Sequence, residues 1–128
     1  VSTDDARNVL PKSLSMKDAV ANSSRLPVLV DALVNGHGER LKFLTQDRMH
    51  EPYRESLYKH LVALRHCVYE AGAYSVTISG AGPSTLAIAS KGDGEKIKSS
   101  WEKCLKEIGL KGTVRILEPA KEGTKLIN

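Results

Sequence analysis

A chain of 128 residues, 41% of them apolar, is one domain's worth and enough for a real core, so one compact domain is expected. Its net charge of +4 comes from basic residues interleaved with acids, as in GEKIKSSWEKCLKEIG, so it reads as a solvated helix face and not as a nucleic-acid surface. The longest apolar window, Leu26 to Val34, is broken by Asp31 and falls far short of a bilayer span, while the opening VSTDD has neither part of a signal peptide; the expectation is a cytoplasmic protein without a membrane partner.

The opening also lacks an initiating Met, and VST reads as the tail of a strand cut from its beginning, which suggests that something upstream has been removed. After the punctuation LPKSLS, Ser15 is placed to cap a helix from Met16, with Asp18 positioned to bond back to the cap and favour the helix dipole. That helix should run to about Asn35 and stop at Gly36. Pro27 inside it lacks a donor and crowds the preceding turn, which predicts a kink or break near Ser23 to Arg25. A short helix follows over about Gly38 to Thr45. QDRMHEPYRES is then too polar and too aperiodic for core.

Leu57, Leu61, Leu64, Val68 and Ala71 recur at helical spacing, and Gly72 ends the run. In YSVTIS, Val76 and Ile78 alternate with Ser75, Thr77 and Ser79, and TLAIA offers a second strand. A helix from about Gly94 to Ile108 buries Ile97, Trp101, Cys104, Leu105 and Ile108. GTVRILEP and TKLIN read as two further strands. The order helix, strand, strand, helix, strand, strand predicts an α+β sandwich of ferredoxin-like type, an antiparallel sheet with helices on one face, over the whole of residues 1–128. Cys67 and Cys104 fall at helical core positions in a chain without signs of secretion and are expected as buried free thiols.

TISGAGPSTLAI, residues 77–88, packs two glycines and a proline between the strands. Gly80 and Gly82 permit positive φ and close approach, and successive N–H groups in such a turn can converge on an anion while Pro83 removes one donor. A glycine-rich hairpin turn is the alternative. Ser79 and Ser84 read as exposed turn serines. His50 beside Glu51 has no second ligand at a metal-binding spacing and reads as a loop histidine that structures its turn, so no metal site is expected. His60 and His66 read as solvated.

Several fragments in fixed order carry a resemblance: STDDARNVLP at Ser2 to Pro11, KDAVANSSR at Lys17 to Arg25, DRMHEPYRESL at Asp47 to Leu57 and AGAYSVTISGAGPS at Ala71 to Ser84. SGAGPS resembles the third motif of the GHMP small-molecule kinases, and its combination with T-x-x-x-R-x-x-L-P and H-E-P-x-R resembles the homoserine kinases among them. The resemblance runs over nearly the whole chain and weakens after Ser90. It implies ATP-dependent phosphorylation of the L-homoserine side-chain hydroxyl to O-phosphohomoserine, on the way to threonine, with ATP and Mg2+ as cofactors of the full-length enzyme. Neither the family's P-x-x-x-G-L-G-S-S phosphate loop nor G-x-x-x-x-G-K-[ST] occurs in these residues. The expectation is a C-terminal domain whose partner is the missing N-terminal domain, inactive as a kinase and binding no cofactor stably by itself. An apolar surface left where that domain would pack would let it self-associate, for example as a homodimer.

By the same resemblance, Arg7 and Arg54 are expected to hold the substrate carboxylate, a role that suits the planar guanidinium fork. Thr3 matches a threonine near the reacting hydroxyl, and Gly80, Ala81 and Gly82 would bring backbone against substrate and the other domain's phosphate loop. The competing reading of Arg54 is an ion pair with Glu51 or Glu55. YKHLVA departs from the L-I-P of many relatives, a change expected to leave the glycine turn and the arginines untouched. Another GHMP kinase, acting on mevalonate or a sugar, and a free-standing amino-acid-sensing module are the rival functions; fold alone does not separate them.

Overall fold

The computed structural model describes residues 2–126. Its first element is a helix where a strand tail was expected: α1, Thr3–Asn8, begins at Ser2, whose hydroxyl accepts from the Asp5 N–H while the Asp5 carboxylate accepts from the Ser2 N–H. This reciprocal pair satisfies two amides that the start of a helix otherwise leaves unbonded. Val1 lies outside the described residues.

The second helix, α2, spans Met16–Val34 with Ser15 as its cap, as expected, and the Ser15 hydroxyl also donates to Asp18 at 2.6 Å. The helix is not broken near Ser23 to Arg25. Pro27 is exposed, so the lost backbone bond faces water, and the helix is pinned along its other side. There the Asn22 amide donates to Asp47 at 2.6 Å, the Arg48 N–H donates to Asn22 at 2.9 Å, and Arg25 donates to the Gln46 carbonyl. The outward side of α2 carries an apolar stripe, Met16, Val20, Val30 and Val34, that nothing among the described residues covers; Met16 and Val34 are 79% and 77% exposed. A turn of 3-10 helix, Gly38–Arg40, leads into α3, Leu41–Leu44. The polar stretch then folds into one helical turn, α4, Glu51–Arg54.

Helix α5 spans Leu61–Glu70, starting four residues later than its periodicity suggests. The sheet is the hairpin β1, Ser75–Ile78, and β2, Thr85–Ile88, paired antiparallel with Val76 opposite Ala87. After a 3-10 turn, Lys91–Asp93, α6 spans Gly94–Glu107. Val76 and Ala87 face α5 and α6 in a cluster with Val68, Ala71, Ile97 and Trp101. These are the helices expected on one face of an antiparallel sheet. Ile88 points the other way and packs against Ala32, Leu41 and Leu44 of α2 and α3, so the opposite face is also partly covered. Fully burying a side chain such as Val68 or Leu61 contributes about 1.5–3 kcal/mol. Ile108 leaves the stripe expected of α6, being 40% exposed at the helix end.

The further strands expected at GTVRILEP and TKLIN are absent among the described residues; Ile127 and Asn128 lie outside them. A β-branched run becomes a strand only where another backbone accepts its ladder. The first of these segments instead rests on side-chain contacts, with Leu105 against Gly112, Ile116 against Gly94 and Lys91 Nζ 2.9 Å from the Glu118 carboxylate. Cys67 and Cys104 are free thiols, Cys104 buried and Cys67 half-buried, and burial pushes the Cys104 thiol up to about 11. No helix of the described residues is long and apolar enough to cross a membrane.

Candidate functional site

The hairpin turn brings the sequence-marked residues to one corner. It closes with the Gly82 N–H donating to the Ser79 carbonyl at 3.1 Å and the Ser79 N–H donating to Ser84 at 2.8 Å. Gly80 and Gly82 have φ of +60° and +85°, values an L side chain rarely adopts. The segment is therefore the hairpin turn of the second reading, and its carbonyls are taken by side chains from elsewhere in the fold. Arg54 Nη1 donates to the Gly80 carbonyl at 2.9 Å, and the Tyr58 hydroxyl donates to the Ala81 carbonyl at 2.7 Å. Among the described residues nothing accepts from the Gly80 or Ala81 N–H. A corner with its oxygens withdrawn and two amides open suits a negatively charged group. Ser79 and Ser84 are exposed, as expected.

Arg54 ties this turn to α1. Its Nε donates to the buried Ala6 carbonyl at 3.1 Å, so the residue before Arg7 and the residue before Ala81 hang on one guanidinium. Arg54 is half-buried, and its Nη2 has no partner among the described residues. Arg7 is 70% exposed on its side chain and lies 3.5 Å from Asp4. Thr3, the first residue of α1, is exposed. The corner thus joins Arg54 directly to the glycine turn at Gly80 and ties α1 to it through the Ala6 carbonyl, whereas Thr3 and Arg7, on the same helix as Ala6, make no hydrogen bond to the turn among the described residues.

The glutamates expected as alternative partners of Arg54 pair instead with Arg65 of α5, which reaches both Glu51 and Glu55. Glu51, 14% exposed on its side chain, also accepts from the Ile78 N–H at 2.5 Å, clamping α4 to the end of β1. Burial pushes its carboxyl above the ordinary value, against the opposing pull of the Ile78 N–H and Arg65. The preceding loop is organised by Asp47, whose carboxylate accepts from the N–H groups of Met49, His50 and Glu51. Burial raises the Asp47 carboxyl, but these amides and Asn22 outweigh it and bring it down to about 2. His50 belongs to this turn, 3.5 Å from Asp47, as the sequence suggested.

Tyr58 and Arg65 escaped the sequence reading, and the expectation that the YKHLVA departure leaves the glycine turn untouched is wrong. Tyr58 is 3% exposed, and its ring lies 2.6 Å from where a Gly82 Cβ would stand. Its neighbour His60, expected to be solvated, is half-buried with its ring edge-on to Tyr58 at 6.2 Å; His66 is exposed. Two surface grooves of about 500 and 340 Å³ lie between α2 and α3, and neither is lined by Arg7, Arg54 or the glycine turn. At the corner Ser79 and Gly80 are exposed, while Arg54, Ala81 and Gly82 are half-buried.

The family model for the C-terminal domain of GHMP kinases matches residues 29–107. The chain belongs to the GHMP kinase family. Within it, the chain is 36% identical to the homoserine kinase of Microchaete diplosiphon, over all of this chain and 42% of that protein. It is 38% identical to the homoserine kinase of a Synechococcus species, over 98% of this chain and 41% of that protein. The crystal structure of homoserine kinase from Cytophaga hutchinsonii superposes with a TM-score of 0.78 at 33% identity, covering 84% of this chain and 35% of that one. This GHMP kinase chain thus spans about two fifths of the length of the curated relatives it matches, and it aligns with their C-terminal part.

Proposed function

We propose that this chain is the substrate-holding C-terminal domain of a homoserine kinase, which phosphorylates the side-chain hydroxyl of L-homoserine with ATP. The observation that carries the reading is the corner itself: the pieces that resemble homoserine kinases, separated by dozens of residues, meet at Arg54. Arg7 and the spare Nη2 of Arg54 would take the substrate carboxylate, each as a charge-assisted donor. Thr3 would stand near the hydroxyl that reacts, and the amides of Gly80 and Ala81 would face the phosphoryl group. ATP, when bound, supplies that group. Among the described residues no three His, Cys, Asp or Glu side chains come together to hold a metal ion. On this reading Mg2+ would be held by the nucleotide and by the N-terminal domain that the length of the relatives implies. Catalysis in such a site rests on positioning and on neutralising phosphate charge, which asks no general base of this chain.

The test is ADP release by the longer protein that contains this chain, with L-homoserine, mevalonate and galactose offered separately. Turnover that requires L-homoserine supports the reading. Turnover with one of the other alcohols and none with L-homoserine would make it a different GHMP kinase. Calorimetric titration of the 128 residues with L-homoserine is the second arm; tight binding there would replace a site shared between two domains with an amino-acid-sensing module.

A further inference from the structure

The turn between Ser79 and Gly82 is built to be flippable. Ala81 stands between two glycines with positive φ, so the peptide units on either side of it can rotate at little steric cost. Each orientation would present a different face to a ligand. A trans peptide is planar and points its N–H opposite its carbonyl, so fixing the oxygen fixes the amide. Arg54 fixes the Gly80–Ala81 unit by taking the Gly80 oxygen, which turns the Ala81 N–H away from the guanidinium. The Ala81–Gly82 unit has two anchors, one at each end. Its N–H donates to the Ser79 carbonyl at 3.1 Å within the turn, and among the described residues its oxygen accepts only from the Tyr58 hydroxyl at 2.7 Å, the one anchor from outside the turn. If this unit flipped, the Ala81 carbonyl would point outward and repel an anion at the corner.

We infer that Tyr58 is a positioning residue for the glycine turn, its hydroxyl locking the Ala81–Gly82 peptide so that the corner presents amides and not a carbonyl. The ring does the complementary work, filling the space beneath Gly82 where a Cβ would meet it at 2.6 Å. Its burial at 3% keeps water from replacing the hydroxyl as donor. In catalytic terms the inference rests on the homoserine kinase reading, and Tyr58 acts through the turn without touching substrate. It sits where this chain departs from the L-I-P sequence of many homoserine kinases, so the device belongs to this chain's own version of the corner.

The experiment uses Tyr58→Phe, which keeps the ring and loses only the donor. In the 128-residue chain, amide exchange and NMR shifts of Ala81 and Gly82 report the turn directly, whether or not the kinase reading holds. In the longer protein, the expected change is a kcat lowered by about threefold to tenfold with KM for ATP unchanged, the effect of one lost neutral hydrogen bond in the reacting geometry. Thermal unfolding controls for general loosening, and Tyr58→Leu, lacking both ring and hydroxyl, should lower kcat further. Altered Gly82 exchange together with the kcat loss supports the inference. An unchanged turn in Tyr58→Phe, or a changed turn with wild-type kcat, overturns it. A wild-type protein inactive on L-homoserine defeats the functional reading while the exchange arm still decides whether Tyr58 locks the turn.

Discussion

The glycine corner and the segment from Gly112 onward invert what their local sequences promise. The corner is short and polar, made of residues that avoid regular structure, yet it is held by Arg54, Tyr58 and Glu51 through bonds to backbone atoms up to 48 residues away in sequence. TVRIL in the later segment has the composition of a good strand, yet among the described residues it pairs with no backbone. The difference teaches that order at a given place follows from what the rest of the fold offers to bond. β-propensity without a partner leaves an unpaired piece resting on a few side chains. Poor propensity with two donors aimed at its carbonyls, and a carboxylate accepting from the strand that leads into it, gives a defined turn.

The contrast is most sharply broken by Gly82→Ala. A side chain there must adopt a φ of +85° and meets the Tyr58 ring at 2.6 Å, so a loss of about 2–4 kcal/mol is expected in denaturant unfolding. Combining it with Tyr58→Ala should recover part of that loss, and full additivity would show that the ring is not what the methyl meets. Arg54→Ala removes the tie between α1 and the turn; under the proposed function, homoserine turnover by the longer protein should fall about tenfold to hundredfold, through a charged donor worth about 1.5–3 kcal/mol.

Acid stability sharpens the comparison further. The folded Asp47 carboxyl lies at about 2, below its ordinary 3.8, so it contributes stability that is complete above pH 4 to 5 and lost as pH falls toward 2. Discounted for solvent screening, this amounts to about 1–2 kcal/mol. Glu51 runs the other way, because its raised value means that protonation relieves a buried charge, and it offsets part of the loss in the same descent. Asp47→Asn should therefore lower stability at pH 7 and flatten the profile below pH 4; a profile as steep as wild type would remove Asp47 as the cause. The smallest effect belongs to the other region. Ending the chain after Pro119 should shift unfolding by less than about 0.5 kcal/mol, as for exposed surface changes, and a large loss would mean the end of the chain is held more firmly than its contacts imply.

Much of the frame was legible because it is periodic. The stripe of Leu61, Leu64 and Val68, the alternation around Val76 and the cap at Ser15 are local patterns, and each became the element it announced. α1 was missed although Ser2 and Asp5 write a capping box, because the opening was read as the remains of a strand. The break expected near Ser23 to Arg25 did not occur, because side-chain anchors to a distant loop hold α2 as one uninterrupted helix. Of the corner, the glycines and Arg54 stood in motifs and were named. Tyr58 and Arg65 were not, since a hydroxyl reaching a carbonyl 23 residues on, or a guanidinium reaching back to both Glu51 and Glu55, leaves no mark at any fixed spacing.

The stripe on α2 also has a calorimetric meaning. Met16, Val20, Val30 and Val34 are already hydrated when the chain is folded, so melting it wets less new apolar surface than its length would suggest. Heat capacity of unfolding and denaturant sensitivity both scale with that newly wetted surface. The increment should fall below the roughly 1.5–1.9 kcal/mol/K ordinary for a domain of this size, giving a stability curve flatter with temperature and an unfolding transition drawn out over a wider range of urea.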